Sequence, residues 1–308
     1  MTTLASTNAA DRDLRTGMLI MAAAMVVIPG VDAFAKIASA TVAPGQIAWS
    51  RFFFQCLFLA PLMLAAVRRR GRLLPDRLWL HLARGMTLST ATLLFFWGLA
   101  YLPLADAVAL FFVEPFILTL LSVLFLGERV GWRRLAAISV GFAGALIIIQ
   151  PSWAVFGWAS VLPLGAAVCF AGYIVLTRRF AIGEGAFEMQ FWAGLFGTLN
   201  LTLALLIGWS AGAPIFQPVW PTPGEWLLLA GCGAFATVGH VLVVLALRRA
   251  PAGLLAPLQY LEIISATFLG WWLFSDLPDG PTLAGIAIIV AAGLYVFHRE
   301  RRRAAAGG

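Results

Sequence analysis

Charge is scarce in this chain. Only 11% of its 308 residues are Asp, Glu, Lys or Arg, against 61% hydrophobic, so there is too little polar surface to clothe water-soluble domains of this length. Lysine is nearly absent, with Lys36 the single example, which leaves no glycine loop with a lysine to cradle the phosphates of ATP. The three cysteines, Cys56, Cys169 and Cys232, fall far apart inside apolar runs and imply neither a disulfide framework nor a metal knot. Nor is there a His-His-Glu set, a paired-Asp site or a nucleophile with its base, which argues against an intramembrane enzyme and against any metal or organic cofactor. Strict polar–apolar alternation is missing as well, so a β-barrel is a poor fit.

What is present is a series of long apolar runs. They predict an all-α integral membrane protein with ten spans, near 16–38, 45–67, 78–100, 105–127, 131–150, 157–178, 188–210, 225–247, 253–275 and 281–298. The first run outlasts a signal-peptide core and lacks a cleavage pattern, so it reads as a span. Eighteen of the 21 basic residues fall at one set of ends, among them Arg12, Arg15, Arg68–Arg70, Arg72, Arg77, Arg129, Arg133, Arg134, Arg178, Arg179, Arg248, Arg249 and Arg299. The positive-inside rule then puts both termini in the cytoplasm. The formal charge of +7 is thereby a topology signal, and no nucleic-acid partner is expected.

Shifting the chain on itself by 148 residues lays Leu99 on Leu247, Pro103 on Pro251, Glu114 on Glu262 and Glu128 on Asp276. Each half, 16–150 and 157–298, holds five expected spans, and an odd number forces the second half to enter the membrane inverted. Inverted repeats are the usual plan of secondary transporters, which rock around a site near the midplane. A channel fits less well, since neither a symmetric pore nor a filter loop is evident.

Six ionisable residues remain within the spans: Asp32, Lys36, Arg51, Arg84, Glu114 and Glu262. A charge near the bilayer centre costs about 2.5–3.5 kcal/mol on insertion scales, so these side chains should face the bundle interior, where three acids balance three bases. Asp32 and Lys36 share a helix face, and Arg51 enters from the same outer side, roughly 9 Å deep at the helical rise. The three are expected to form an outer ionic cluster, structural or gating. Arg84 is expected to snorkel to the cytoplasmic interface. Glu114 and Glu262, near the midplane, are the candidates to exchange protons or bind the solute. Pro115 is expected to kink span four beside them, and Gln259, Glu262 and Ser265 form a polar stripe on span nine. His240 is a candidate relay, whose bland reading is a packed imidazole. Trp97, Tyr101 and Tyr260 are candidates to line a pathway for an aromatic solute. Gly141, Gly144, Gly194 and Gly197 read as packing notches.

The chain resembles the drug/metabolite transporter superfamily, in its ten-span group with two EamA-type repeats. The resemblance rests on Asp32-Ala33 with Lys36, Arg51-Phe52, Arg84-Gly85, Pro115 and Gly127-Glu128-Arg129. In the second half it rests on Pro257, Gln259, Tyr260 and Glu262, then Pro278-Asp279-Gly280 and Gly293-Leu294-Tyr295. Ser275-Asp276 and Ile263 depart from the pattern, where Gly-Glu and proline are common. The resemblance implies an inner-membrane carrier of small organic metabolites working by alternating access, as a monomer or homodimer. Interior aromatics lean toward an amphipathic or aromatic solute, such as a riboflavin-like vitamin or an amino acid. A membrane scaffold with structural ion pairs and a proton-independent facilitator are the alternatives.

Overall fold

The structure is a computed structural model. It describes residues 2–70, 74–75, 77–127, 157–180, 185–255, 258–259, 261–275 and 278–306, with positions 132, 136, 139–144 and 146–147. Tyr260, Pro257, Arg72, Glu128, Arg129, Arg133, Arg134, Asp276 and half of the expected fifth span lie outside the described residues.

The described chain is helical, as apolar segments must be where lipid offers the backbone no hydrogen-bond partners. The principal helices are α1 (Thr2–Ala38), α2 (Pro44–Arg70), α3 (Leu78–Leu99), α4 (Leu104–Phe111), α5 (Glu114–Leu126), α6 (Val161–Phe180), α7 (Ala186–Ser210), α8 (Pro223–Arg249), α9 (Ala252–Leu255), α10 (Leu261–Phe274) and α11 (Gly280–Ala306). Among the described residues, six stretches are long and apolar enough to cross a membrane: 13–38, 44–68, 106–126, 157–179, 186–210 and 223–249. Leu261–Phe274 and Gly280–Ala292 are shorter apolar helices.

Local sequence sets the ends. Pro223 opens α8 behind Thr222, whose hydroxyl accepts from the Glu225 amide at 3.4 Å while the Glu225 carboxylate accepts from the Thr222 amide at 2.6 Å. Gly127 closes α5 with φ of 67°, a left-handed turn that glycine enters without strain.

Two related helices are interrupted. Expected span four is divided into α4 and α5 at Phe112–Val113, and in expected span nine the described residues 258–259, between α9 and α10, form a 3-10 turn in place of α-helix. Pro115 accounts for the first interruption: it brings no N–H to the Phe111 carbonyl four residues back, and its ring crowds that carbonyl. The 148-residue shift carries the start of α10 to within one residue of the start of α5.

The packing is exchange-symmetric. α1 lies along α8 as α6 lies along α3; α5 lies on α6 as α10 lies on α1; α3 meets α7 as α8 meets α2; and α2 packs on α7. Replacing each helix by its counterpart in the other half returns the same set of pairs. Glycine notches permit the close approaches: the Phe235 ring fills Gly30 and the Phe34 ring fills Gly231 across α1–α8, while Phe52 fills Gly197 across α2–α7. Gly144 likewise abuts the Gly285 backbone of α11. Two groups result, α1, α2, α8 and α10 against α3, α5, α6 and α7, joined chiefly along the α2–α7 seam.

Candidate functional site

A cavity of about 70 Å3 lies between these groups. Its walls bring together Asp32 from α1, Arg51 from α2, Glu114 from the first turn of α5, His240 from α8, Gln259 from the segment before α10 and Glu262 from the first turn of α10. All six are buried. The interrupted helices thus aim two N-terminal turns, each carrying a glutamate, at one space. The positive end of a helix dipole favours such an acid.

The polar atoms are incompletely paired. Gln259 hydrogen-bonds the Glu114 carboxyl and so links the two halves of the chain across the cavity. The other Glu114 oxygen, Oε1, together with Gln259 Oε1, His240 Nδ1 and both terminal nitrogens of Arg51, is buried without a hydrogen-bond partner. Atoms of this kind are costly to bury unsatisfied, and they are the ones a bound solute would complete. Between them lie the rings of Phe95, Phe96, Phe111, Phe112 and Phe170, which give the cavity an apolar floor.

Other expected site residues stand apart. Lys36 leaves the expected outer cluster. It is one turn beyond Asp32, and its ammonium donates to the Leu99 and Leu102 carbonyls, each at 2.7 Å, at the end of α3. Helix-terminal carbonyls lack intrahelical donors, and that shortage draws the lysine away from the cavity. Trp97 packs edge-on against Trp158, with centroids 5.7 Å apart, and is not among the cavity-lining residues. Tyr101 meets Trp158 as well.

Arg84 does not snorkel to the interface. It is 0% exposed, donates from Nε to Thr177 Oγ1 and from Nη1 to the Met189 carbonyl, both at 3.0 Å, and lies 5.4 Å from the Tyr173 ring. Protein acceptors from α6 and α7 replace water. The three acids and three bases therefore do not mingle: among the described residues lining the cavity, three carboxyls face the single guanidinium of Arg51.

Two groups at the site are not singled out by the sequence alone. One is the set of cavity phenylalanines, indistinguishable by composition from 23 Phe in all. Their signal was position: Phe111 and Phe112 directly precede the Pro115 break. The other is Gln190, a polar side chain 0% exposed, whose amide donates to Tyr173 Oη at 2.8 Å and to the His240 carbonyl at 2.9 Å. It holds the backbone of the cavity histidine.

Paired half-helix termini around a central polar space are the architecture of a membrane carrier. The chain belongs to the EamA-like transporter family, whose model matches residues 15–150 and again 157–297. It is a multi-pass membrane transporter and not an enzyme. It is 32% identical to a riboflavin transporter of Rhizobium johnstonii over 82% of this chain and 79% of that one. It is 31% identical to a pseudopaline exporter of Pseudomonas aeruginosa, over 91% and 95% of the two chains. An S-adenosylmethionine uptake transporter of Rickettsia felis shares 27% identity over 83% and 84%. A solved crystal structure with 22% sequence identity superposes with a TM-score of 0.70 over 94% of this chain and 98% of that one, a likeness of fold alone.

Proposed function

We propose that this protein is a secondary transporter that carries a small amphipathic or aromatic organic metabolite across the inner membrane by alternating access. In this reading ten spans form two inverted five-helix repeats, 16–150 and 157–298, with both termini cytoplasmic, and the carrier works as a monomer or homodimer. The observation that carries it is the pair of interrupted helices, whose glutamates, Glu114 and Glu262, meet Arg51 and Asp32 in one buried cavity.

The unpaired atoms describe the solute. Arg51 offers two N–H faces suited to a carboxylate or a similar acceptor pair, Glu114 and Glu262 suit a donor or cationic group, and the phenyl rings suit a flat apolar body. The relatives are named for riboflavin, S-adenosylmethionine and pseudopaline, and for both uptake and export, which supports a small organic solute as the class. Carboxyls outnumber the guanidinium in the cavity, which favours protons or a cationic group as the balancing partner. In this reading His240, whose Nδ1 is buried without a partner, belongs to the same pathway.

The test is counterflow of labelled flavins, amino acids and nucleoside-linked amino acids into proteoliposomes, with and without a proton gradient. Saturable movement of at least one solute, weakened by Glu262→Gln in a folded protein, is the expected result. No movement under either gradient would sink the reading. Transport that persists with both glutamates neutralised and no pH gradient would leave facilitated diffusion in its place. Unchanged transport with altered assembly would make the buried charges structural.

A further inference from the structure

We infer that Lys36 and Arg178 are a matched pair of gate latches, one at each end of the carrier, and the proposal rests on the alternating-access reading above. Lys36 reaches from α1, in one helix group, to the Leu99 and Leu102 carbonyls at the end of α3, in the other. Arg178 reaches the opposite way, from α6 to the Leu247 carbonyl in the last turn of α8. Leu99 and Leu247 are the residues that coincide under the 148-residue shift, and α1 and α6 are counterparts in the two repeats.

The two contacts therefore share an acceptor position and a pair of counterpart helices, although the shift does not superimpose the two cations themselves: in each, a cation of one group reaches a carbonyl near a helix end in the other. They lie at opposite ends of the molecule. α1 and α8 are antiparallel, since Gly17 meets Ala250 while Gly231 meets Phe34. The Leu247 end of α8 thus faces the start of α1, while Lys36 stands in its last turn. In the proposed topology Lys36 closes the outer mouth and Arg178 the cytoplasmic one.

Direct packing at these places is slight. α1 touches α3 and α4 little, and α6 touches α8 little, so each cation spans a thin part of the contact between groups. The acceptors are carbonyls at or just beyond helix ends, which water satisfies once the mouth opens, so a latch can break without stranding a buried acceptor. Both latches are engaged here, around a cavity large enough only for several waters. Opening one mouth requires breaking one latch while the other holds.

The test uses the full-length protein with Cys56, Cys169 and Cys232 replaced by alanine and Thr92→Cys as a cavity reporter, labelled with an impermeant maleimide in right-side-out and inside-out vesicles. Val243→Cys serves as a second reporter if the first fails to fold. Lys36→Met is expected to raise the ratio of outside to inside labelling roughly tenfold, about 1.4 kcal/mol, and Arg178→Met to lower it by a similar factor. The double variant returns toward the parent, and Lys36→Arg stays near it. Monodisperse variants that leave the ratio unchanged, or shift it in one common direction, overturn the latches. A parent reporter labelled from one face only, in every variant, overturns alternating access itself.

Discussion

Glu114 is 1% exposed, hydrogen-bonded on one side by Gln259, and has its other oxygen buried without a partner at the cavity wall. A hydrogen bond to a charged group is worth about 1.5–3 kcal/mol, so Glu114→Gln is expected to lower the specificity constant for transport roughly 10- to 100-fold. Proteoliposome kinetics measure this, with thermal melting in detergent as the control for folding. Arg51→Lys keeps the charge and discards the planar fork, and is expected to raise KM chiefly for carboxylate-bearing solutes. Equal losses for solutes with and without a carboxylate would remove Arg51 from recognition. Both residues are legible in the sequence because an ionisable group in an apolar run is expensive and conspicuous. The direction each one faces is not. Lys36, Trp97 and Arg84 have the right depth along their helices, yet the two cations find partners in segments distant in sequence, 63 residues away for the Leu99 carbonyl and 93 for Thr177.

At the scale of the element, the interruption at Pro115 is the feature with most consequence. Pro115→Ala restores an N–H to the Phe111 carbonyl and removes the ring clash, so it is expected to keep or raise the melting temperature while slowing turnover. Higher stability with unchanged turnover would show that the broken helix does not matter for the cycle. Asp279 gives a second measurement at a helix end, outside the membrane. Its carboxylate accepts from the Thr282 amide at 2.8 Å, and bonds from Thr282 hold it below the ordinary carboxylate range. A depressed folded-state pKa means that this stabilisation is full above the unfolded carboxylate's pKa and is lost as pH falls through the folded value. Asp279→Ala is expected to cost about 1 kcal/mol by chemical denaturation near neutral pH, with the difference closing in acid. Helix positions were legible from the apolar runs, and Pro115 announced its break. The second break gave a fainter signal, and how far α9 and α10 separate depends on packing against α1 and α4.

For the whole molecule, the proposed topology makes a prediction of its own. A cysteine at Gly212 is expected to react with an impermeant reagent from outside intact cells, and one placed after Arg303 only once the membrane is opened. Reaction of both from the same side without permeabilisation would break the inverted arrangement. The repeat was visible in the sequence as one acid falling on another, Glu114 on Glu262. The two helix groups were not, because group membership is decided by side-chain fit, as where Phe235 enters the notch at Gly30.

Among the helix pairings of the described residues given above, the α2–α7 seam alone is its own counterpart when the halves are exchanged. Phe52 seats against Gly197, where an added Cβ would stand 2.5 Å from the ring, and Gln55 donates to the Gln190 carbonyl at 2.7 Å. A line of contact that maps onto itself is a natural axle, equally engaged whichever mouth is open. Damage there falls on both states alike. Gly197→Ala should therefore reduce how much carrier survives in the membrane, with overpacking of about 1–3 kcal/mol, while leaving the balance between the two faces untouched.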